Sequence, residues 1–239
     1  MTAKAHPDAT IGGGTALQFT TASAHHPDDF FKAVSSFHNL LPQMIDSGVT
    51  VIYQIYAAAI LGPLAYGNLA VSSYQYGGHL IPRRVLQNNS TELTGALRNL
   101  THQGVIAVGV GMDVSHHLQN FSNAVFPALR NAAITVQIGT AWNETAPWSR
   151  MIDNQYKFTN ECVPQIEAVT PGSGCYQNEA NFRQPEWQET FFSSTYSPLL
   201  SVKGKLNPSS FSYAPKGVGS DVWDVSISSR ICRVERTPK

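Results

Sequence analysis

The chain has 239 residues, of which 42% are hydrophobic and 13% charged. That is enough apolar matter to bury a core and too much for a disordered chain. Sixteen basic and sixteen acidic residues cancel, which excludes the basic footprint of a nucleic-acid binder and steering by net charge.

The N-terminal MTAKAHPDAT has no apolar stretch after Lys4 and does not read as a secretory signal. Five Asn-x-Ser/Thr triplets occur, at Asn88, Asn89, Asn99, Asn120 and Asn143. Such triplets are glycosylated only in secreted proteins, so they point to secreted relatives and leave the location of this chain open.

A strand is expected at Ala16–Thr21 after Gly12-Gly13-Gly14. His-Pro-Asp-Asp then opens a helix, with Pro27 in its first turn and Asp28 and Asp29 at its positive end. Phe30, Val34, Phe37, Leu41 and Met44 or Ile45 form one buried face, and Gly48 ends the helix as a left-handed cap. No charge occurs between Asp46 and Arg83, and VTVIYQIYAAAILGPLAYGNLAV is long enough to cross a bilayer. Gln54, Asn68 and Gly62-Pro63 interrupt it, however, and Val49, Val51, Tyr53 and Ile55 alternate. A half-buried strand over 49–56 is therefore expected in place of a membrane span.

Gly, Pro and Tyr dominate 62–78, which reads as loop. A helix follows over about Thr91–Leu100, capped by Asn89 or Ser90 and closed by Gly104. Next come a strand over Val105–Val110, a short helix at PALRNAA and a strand over Ile134–Trp142. A long helix is expected over Pro147–Val169, stopped by Thr-Pro-Gly-Ser-Gly. Two short helices lie near Pro185–Phe192 and Tyr196–Leu206, ahead of a Gly/Ser-rich tail. The mixture lacks a strict strand–helix–strand rhythm. The expected class is α+β: an antiparallel sheet covered by helices on one face, with a helical and irregular C-terminal segment. The division expected is 1–170 for the sheet-and-helix domain and 171–239 for the segment packed on it.

Common catalytic signatures are missing: no Gly-x-Ser-x-Gly, no His-Glu-x-x-His and no Cys-x-x-Cys. His25-His26 and His116-His117 are adjacent pairs whose side chains point apart, so no metal site is expected. Three cysteines allow at most one disulfide, between Cys162 and Cys175, or else buried thiols packed as small hydrophobes.

The most specific stretch is residues 172–223: a Tyr-x-Asn-Glu-Ala run at 176–180, an aromatic-rich Trp-Gln helix, then Tyr-x-x-Leu-x-x-x-Lys, an Asn-Pro turn and Phe. It resembles the C-terminal signature of the berberine-bridge-like FAD-linked oxidoreductases. YGGHLIPRRVLQNN, NAVFPALRNA, WNETAPW and TNECVPQIEAVTPGSG resemble the fungal branch of that family. The resemblance runs through nearly the whole chain and implies a substrate domain that follows a flavin-binding front domain. It also implies FAD as cofactor, a small-molecule substrate, Tyr176 as candidate base and Asn178 as a flavin contact. A phenol can relay the proton of an alcohol or amine, and an amide can orient the ring. Tyr76, His79 and Arg83 are the candidates for the substrate side, by way of the Gln75–His79 stretch. Trp187, Phe191 and Phe192, at helical spacing, read as core.

The pattern departs from the family in places. No diphosphate-binding loop or covalent-attachment motif can be placed, and the join between Tyr56 and Tyr-Gly-Gly is short. Asn181, Ser193 and Asn207 stand where Asp, Gly and Asp are usual. Three readings follow. The first is an incomplete FAD-linked oxidoreductase, inactive alone. The second is a cofactor-free pocket protein of the cyclase type, recognised by a closed apolar cavity near Tyr176. The third is a partner subunit, associating with a missing FAD domain or with itself through an exposed apolar strip.

Overall fold

A computed structural model describes residues 24–55, 73–114, 123–225 and 230–234, together with Gly13, Thr15 and Thr20. The strand expected at Ala16–Thr21 and most of the Gly/Pro/Tyr-rich join lie outside the described residues.

Four strands form one antiparallel sheet: β1 (Val51–Ile55), β2 (Tyr74–Pro82), β3 (Ile106–Gly111) and β4 (Ala132–Ala141), in the order β1-β3-β4-β2. Helix α1 (Pro27–Asp46) starts as its sequence dictates. Pro27 sits in the first turn, and the His26 ring nitrogen Nδ1 accepts the Asp28 N–H at 3.2 Å. It ends at Gly48 with φ +87°, a conformation that favours glycine. Helix α2 (Arg83–Asn88) directly follows β2, and α3 (Ser90–His102) buries Leu93, Ala96, Leu97 and Leu100 at three- and four-residue spacing.

The expected long helix is one run in three parts: α4 (Trp148–Lys157), a π-turn over Phe158–Cys162, and α5 (Val163–Val169). Pro164 explains the interruption. It lacks an N–H, and its ring crowds the carbonyl four residues back, so the widened turn takes up the misfit. Helices α6 (Trp187–Phe192) and α7 (Tyr196–Leu206) follow, and a short hairpin of β5 (Trp223–Val225) and β6 (Ile231–Arg233) lies in the tail.

The core lies between the helices and one face of the sheet. Leu41 and Ile45 of α1, Leu97 and Leu100 of α3, and Phe158 and Ile166 pack with Val51, Ile55, Ala107, Val136 and Ile138. The fold is thus α+β, with helices over one sheet face. Within it, His38 is fully buried between the Thr94 hydroxyl at 2.9 Å and the Tyr53 hydroxyl at 3.1 Å. These bonds satisfy a polar side chain that would otherwise destabilise the core. Burial depresses the His38 pKa to about 4 and pushes the Tyr53 phenol up.

Two expectations need correction. Residues 74–78 are not loop but the first half of β2, and PALRNAA is a single 3-10 turn (Pro127–Asn131) whose last two alanines begin β4. Cys162 and Cys175 are both buried free thiols, and Cys232 is exposed. Among the described residues no helix is long and apolar enough to cross a membrane, and no cluster of three His, Cys, Asp or Glu side chains could hold a metal.

Candidate functional site

Strand β2 distributes the candidate residues between two faces, because successive side chains of a strand point opposite ways. Gln75, Gly77, His79 and Ile81 face the helices: a Cβ on Gly77 would lie 2.9 Å from Phe158 Cε1 and 3.2 Å from Val163 Cγ2. Tyr74, Tyr76, Gly78 and Leu80 face the far side, level with Ala141, Gly139, Gln137 and Thr135 of β4.

Tyr176 and Asn178 reach this far face through the chain that leaves α5. Ser173 Oγ donates to the Leu80 carbonyl at 2.6 Å, and Leu80 N–H donates to the Gly174 carbonyl at 2.8 Å. Residues 173–174 thus bond to β2, and Cys175 N–H reaches the Thr190 carbonyl at 2.9 Å. The chain then turns over the sheet as a 3-10 turn, Gln177–Glu179. Thr135 Oγ1 donates to Glu179 Oε2 at 2.9 Å, and Gln177 Nε2 donates to the Lys216 carbonyl at 3.3 Å. Gly78 must be glycine for this seat: a Cβ there would lie 2.8 Å from the Glu179 carbonyl oxygen and 3.0 Å from that of Val136.

At the top of the turn, Asn178 Nδ2 donates to the Tyr176 hydroxyl oxygen at 2.8 Å, and both side chains are exposed. The amide aims the phenol and leaves the hydroxyl hydrogen to point elsewhere. Tyr76 shares the far face, two residues along β2 from Gly78, with its ring 6.3 Å from that of Tyr74. Partial burial, and secondarily the Tyr74 phenol, raise the Tyr76 pKa.

The other two candidates lie elsewhere. His79 points to the helix side, 6% exposed, with Nδ1 buried and without a hydrogen-bond partner. Burial lowers its pKa to about 4, so the ring is neutral at neutral pH. Arg83, at the start of α2, is paired with Asp46 at 2.6 Å and Asp113 at 3.7 Å. Gln75 is also turned inward and buried. Glu179 and Thr135, which with Gly78 hold the Tyr176 turn in place, escaped the sequence reading. Only the Glu that follows Tyr-x-Asn hinted at them. Trp187, Phe191 and Phe192 pack among themselves and on Tyr196, with rings 5.7–6.3 Å apart.

Residues 175–219 match the family model for berberine and berberine-like segments. An FAD-linked oxidoreductase of Gibberella zeae, ZEB1, is 35% identical over 98% of this chain and 49% of its own length. One of Aspergillus clavatus, patO, is 33% identical over the same shares. The chain therefore spans about half the length of the curated relatives it matches. The Gibberella alignment runs to 283 positions, so that relative carries further residues within the matched span. Among solved structures, a VAO-type flavoprotein from Myceliophthora thermophila superposes with a TM-score of 0.74 and 25% identity, over 89% of this chain and 48% of that one.

Proposed function

From the membership of this chain in the berberine-bridge-like FAD-linked oxidoreductases, we propose that it forms the substrate side of a flavin oxidase acting on an alcohol, a sugar or a secondary metabolite. The observation that carries this reading is the Tyr176–Asn178 pair, bonded at 2.8 Å and seated over the far face of the sheet. Bound FAD supplies the hydride acceptor. Tyr176 relays the proton: its oxygen accepts the proton of the substrate hydroxyl or amine as its own hydroxyl hydrogen passes to solvent. Asn178 aims the phenol with one amide hydrogen and offers its remaining amide groups to the flavin ring. Tyr76 borders the substrate on the same face. His79 and Arg83 have no part in it, one being turned to the helices and the other paired with Asp46 and Asp113.

The donor set fits the ring end of FAD. Among the described residues, no helix opens from a glycine-rich turn able to cradle a diphosphate. These 239 residues by themselves are therefore expected to be colourless after desalting, even when FAD has been added. A yellow, stoichiometric flavoprotein would overturn that half of the proposal. The catalytic half is tested in a chimera that joins the flavin-binding part of the Gibberella relative to this chain. There Tyr176→Phe should keep the flavin spectrum and lower turnover by about 10²–10⁴-fold, the usual worth of a positioned proton-transfer group. Unchanged turnover would remove Tyr176 from the chemistry.

A second reading, a subunit docked on a partner, is favoured by α7. None of its residues is buried, while Leu206 is 81% and nearby Phe211 94% exposed. A helix of eleven residues gains little stability without a packed face. Sedimentation at rising concentration tests it: a monomer throughout would leave only a different chain as the partner.

A further inference from the structure

Of the Asn-x-Ser/Thr triplets, the one at Asn143 stands apart once the chain is folded. Asn143, Glu144 and Thr145 are all exposed, in the turn between β4 and α4. Thr145 N–H donates to Asn143 Oδ1 at 3.0 Å, and Thr145 Oγ1 donates to the same oxygen at 2.7 Å. The Asn143 carbonyl accepts the Ala146 N–H at 3.1 Å, and the Asn143 N–H meets Met151 Sδ at 3.4 Å, which fixes the turn against the first turn of α4. A backbone N–H can only donate, so the atom that Thr145 N–H meets is the amide oxygen. The amide nitrogen Nδ2 keeps both hydrogens without a partner among the described residues.

The other triplets lack this arrangement. Ser90, third in the Asn88 triplet, is buried, and its hydroxyl donates to Asn39 Oδ1. Thr101, third in the Asn99 triplet, is buried in α3 with its hydroxyl on the Arg98 carbonyl at 2.9 Å. The Asn89 triplet straddles the start of α3, with Thr91 already in the helix. Asn120 lies outside the described residues. Beside the Asn143 turn, Trp148 is 68% exposed and meets Trp142 edge to face, with ring centres 6.1 Å apart. An indole so far open to water offers an apolar face that the C–H face of a sugar ring can cover.

We propose that Asn143 is where this chain carries an N-linked glycan when it is exported. The donor is an oligosaccharide borne on a polyprenyl diphosphate. A bond forms between Asn143 Nδ2 and the sugar C1 as the bond from C1 to the diphosphate oxygen breaks. The diphosphate leaves with its lipid, one amide hydrogen passes to a base of the transferase, and nothing is oxidised or reduced. The exposed Thr145 hydroxyl completes the acceptor triplet.

The test is secretion of the 239-residue chain from a eukaryotic host behind a cleavable leader. Trypsin places Asn143 in the peptide 131–150, which holds no other triplet. Peptide-N-glycosidase in heavy-oxygen water turns each glycan-bearing Asn into a labelled Asp, and a sample without the enzyme marks spontaneous deamidation. Peptides from the membrane fraction give the same reading if the chain is retained in the cell. The label is expected on Asn143. Thr145→Val and Asn143→Gln should lose it, and Thr145→Ser, which restores the hydroxyl, should keep it. A bare Asn143 in the parent chain would overturn the proposal, and so would an undiminished label in Thr145→Val.

Discussion

The two faces of β2 are packed in different ways. On the helix side, Gly77 has no room for a methyl group beside Phe158 and Val163, and His79 is dry enough to lose its charge. On the far side, Gly78 also admits no side chain, but what lies over it is the backbone of the turn that carries Tyr176 and Asn178. Two adjacent glycines thus serve opposite ends: one lets a core close, the other lets the turn that carries Tyr176 approach the sheet. A strand can do both because its side chains alternate.

The largest effect that would sharpen this contrast is at Phe158, fully buried over Gly77. Phe158→Ala should cost about 3–5 kcal/mol in chemical denaturation, as expected for a large side chain removed from a core. Tyr76→Ala, half-buried on the far face, should cost less than half as much. Equal costs would mean that the far face is packed as tightly as the core.

Acid should come next. The folded-state pKa of His79 is about 4 and lies below the ordinary value of 6.5. Between those values the unfolded chain binds a proton that the folded chain does not. The stabilisation is therefore complete above about pH 6.5 and is lost as the pH falls towards 4, by roughly 3 kcal/mol for one such histidine. His38, equally depressed by burial, adds a similar slope. Comparing His79→Gln with the parent chain at pH 7 and pH 4.5 isolates the His79 share. The gap between the two proteins should change by roughly 2–3 kcal/mol. An unchanged gap would show that His79 meets water.

The smallest expected effect is the most local. Thr135→Val keeps the shape but removes the hydroxyl that holds Glu179, and should cost about 1 kcal/mol. Amide exchange should quicken at 177–180 and not in α3, and Thr135→Ser should restore it. Quickened exchange throughout the chain would mean that the bond supports the sheet at large and not the Tyr176 turn.

Much of the fold was legible beforehand, for local reasons. Alternation marked a strand over 49–56, found at Val51–Ile55, the strand expected over Val105–Val110 is found at Ile106–Gly111, and Gly48 announced the end of α1. The start of β2 was not legible. Tyr-Gly-Gly carries the composition of a loop, and the need for small residues arises only from Phe158 and Glu179, distant in the chain. Helix α2 escaped for a similar reason: it begins with two arginines and has no side-chain cap. At the candidate site, the Tyr-x-Asn motif named Tyr176 and Asn178, whereas His79 was grouped with Tyr76 because both belong to the Gln75–His79 stretch. An odd spacing on a strand puts them on opposite faces.

Local patterns by themselves determined the α+β class, the principal helices with the two ends of α1, and the family signature at residues 172–223. Those properties depend on periodicity, on backbone conformations open to glycine and proline, and on residue types at short spacing. Tertiary structure alone decided which face each residue of β2 serves and how Glu179 and Thr135 seat the Tyr176 turn. Each of those depends on contacts between segments far apart in the chain, and no short stretch of sequence contains both partners.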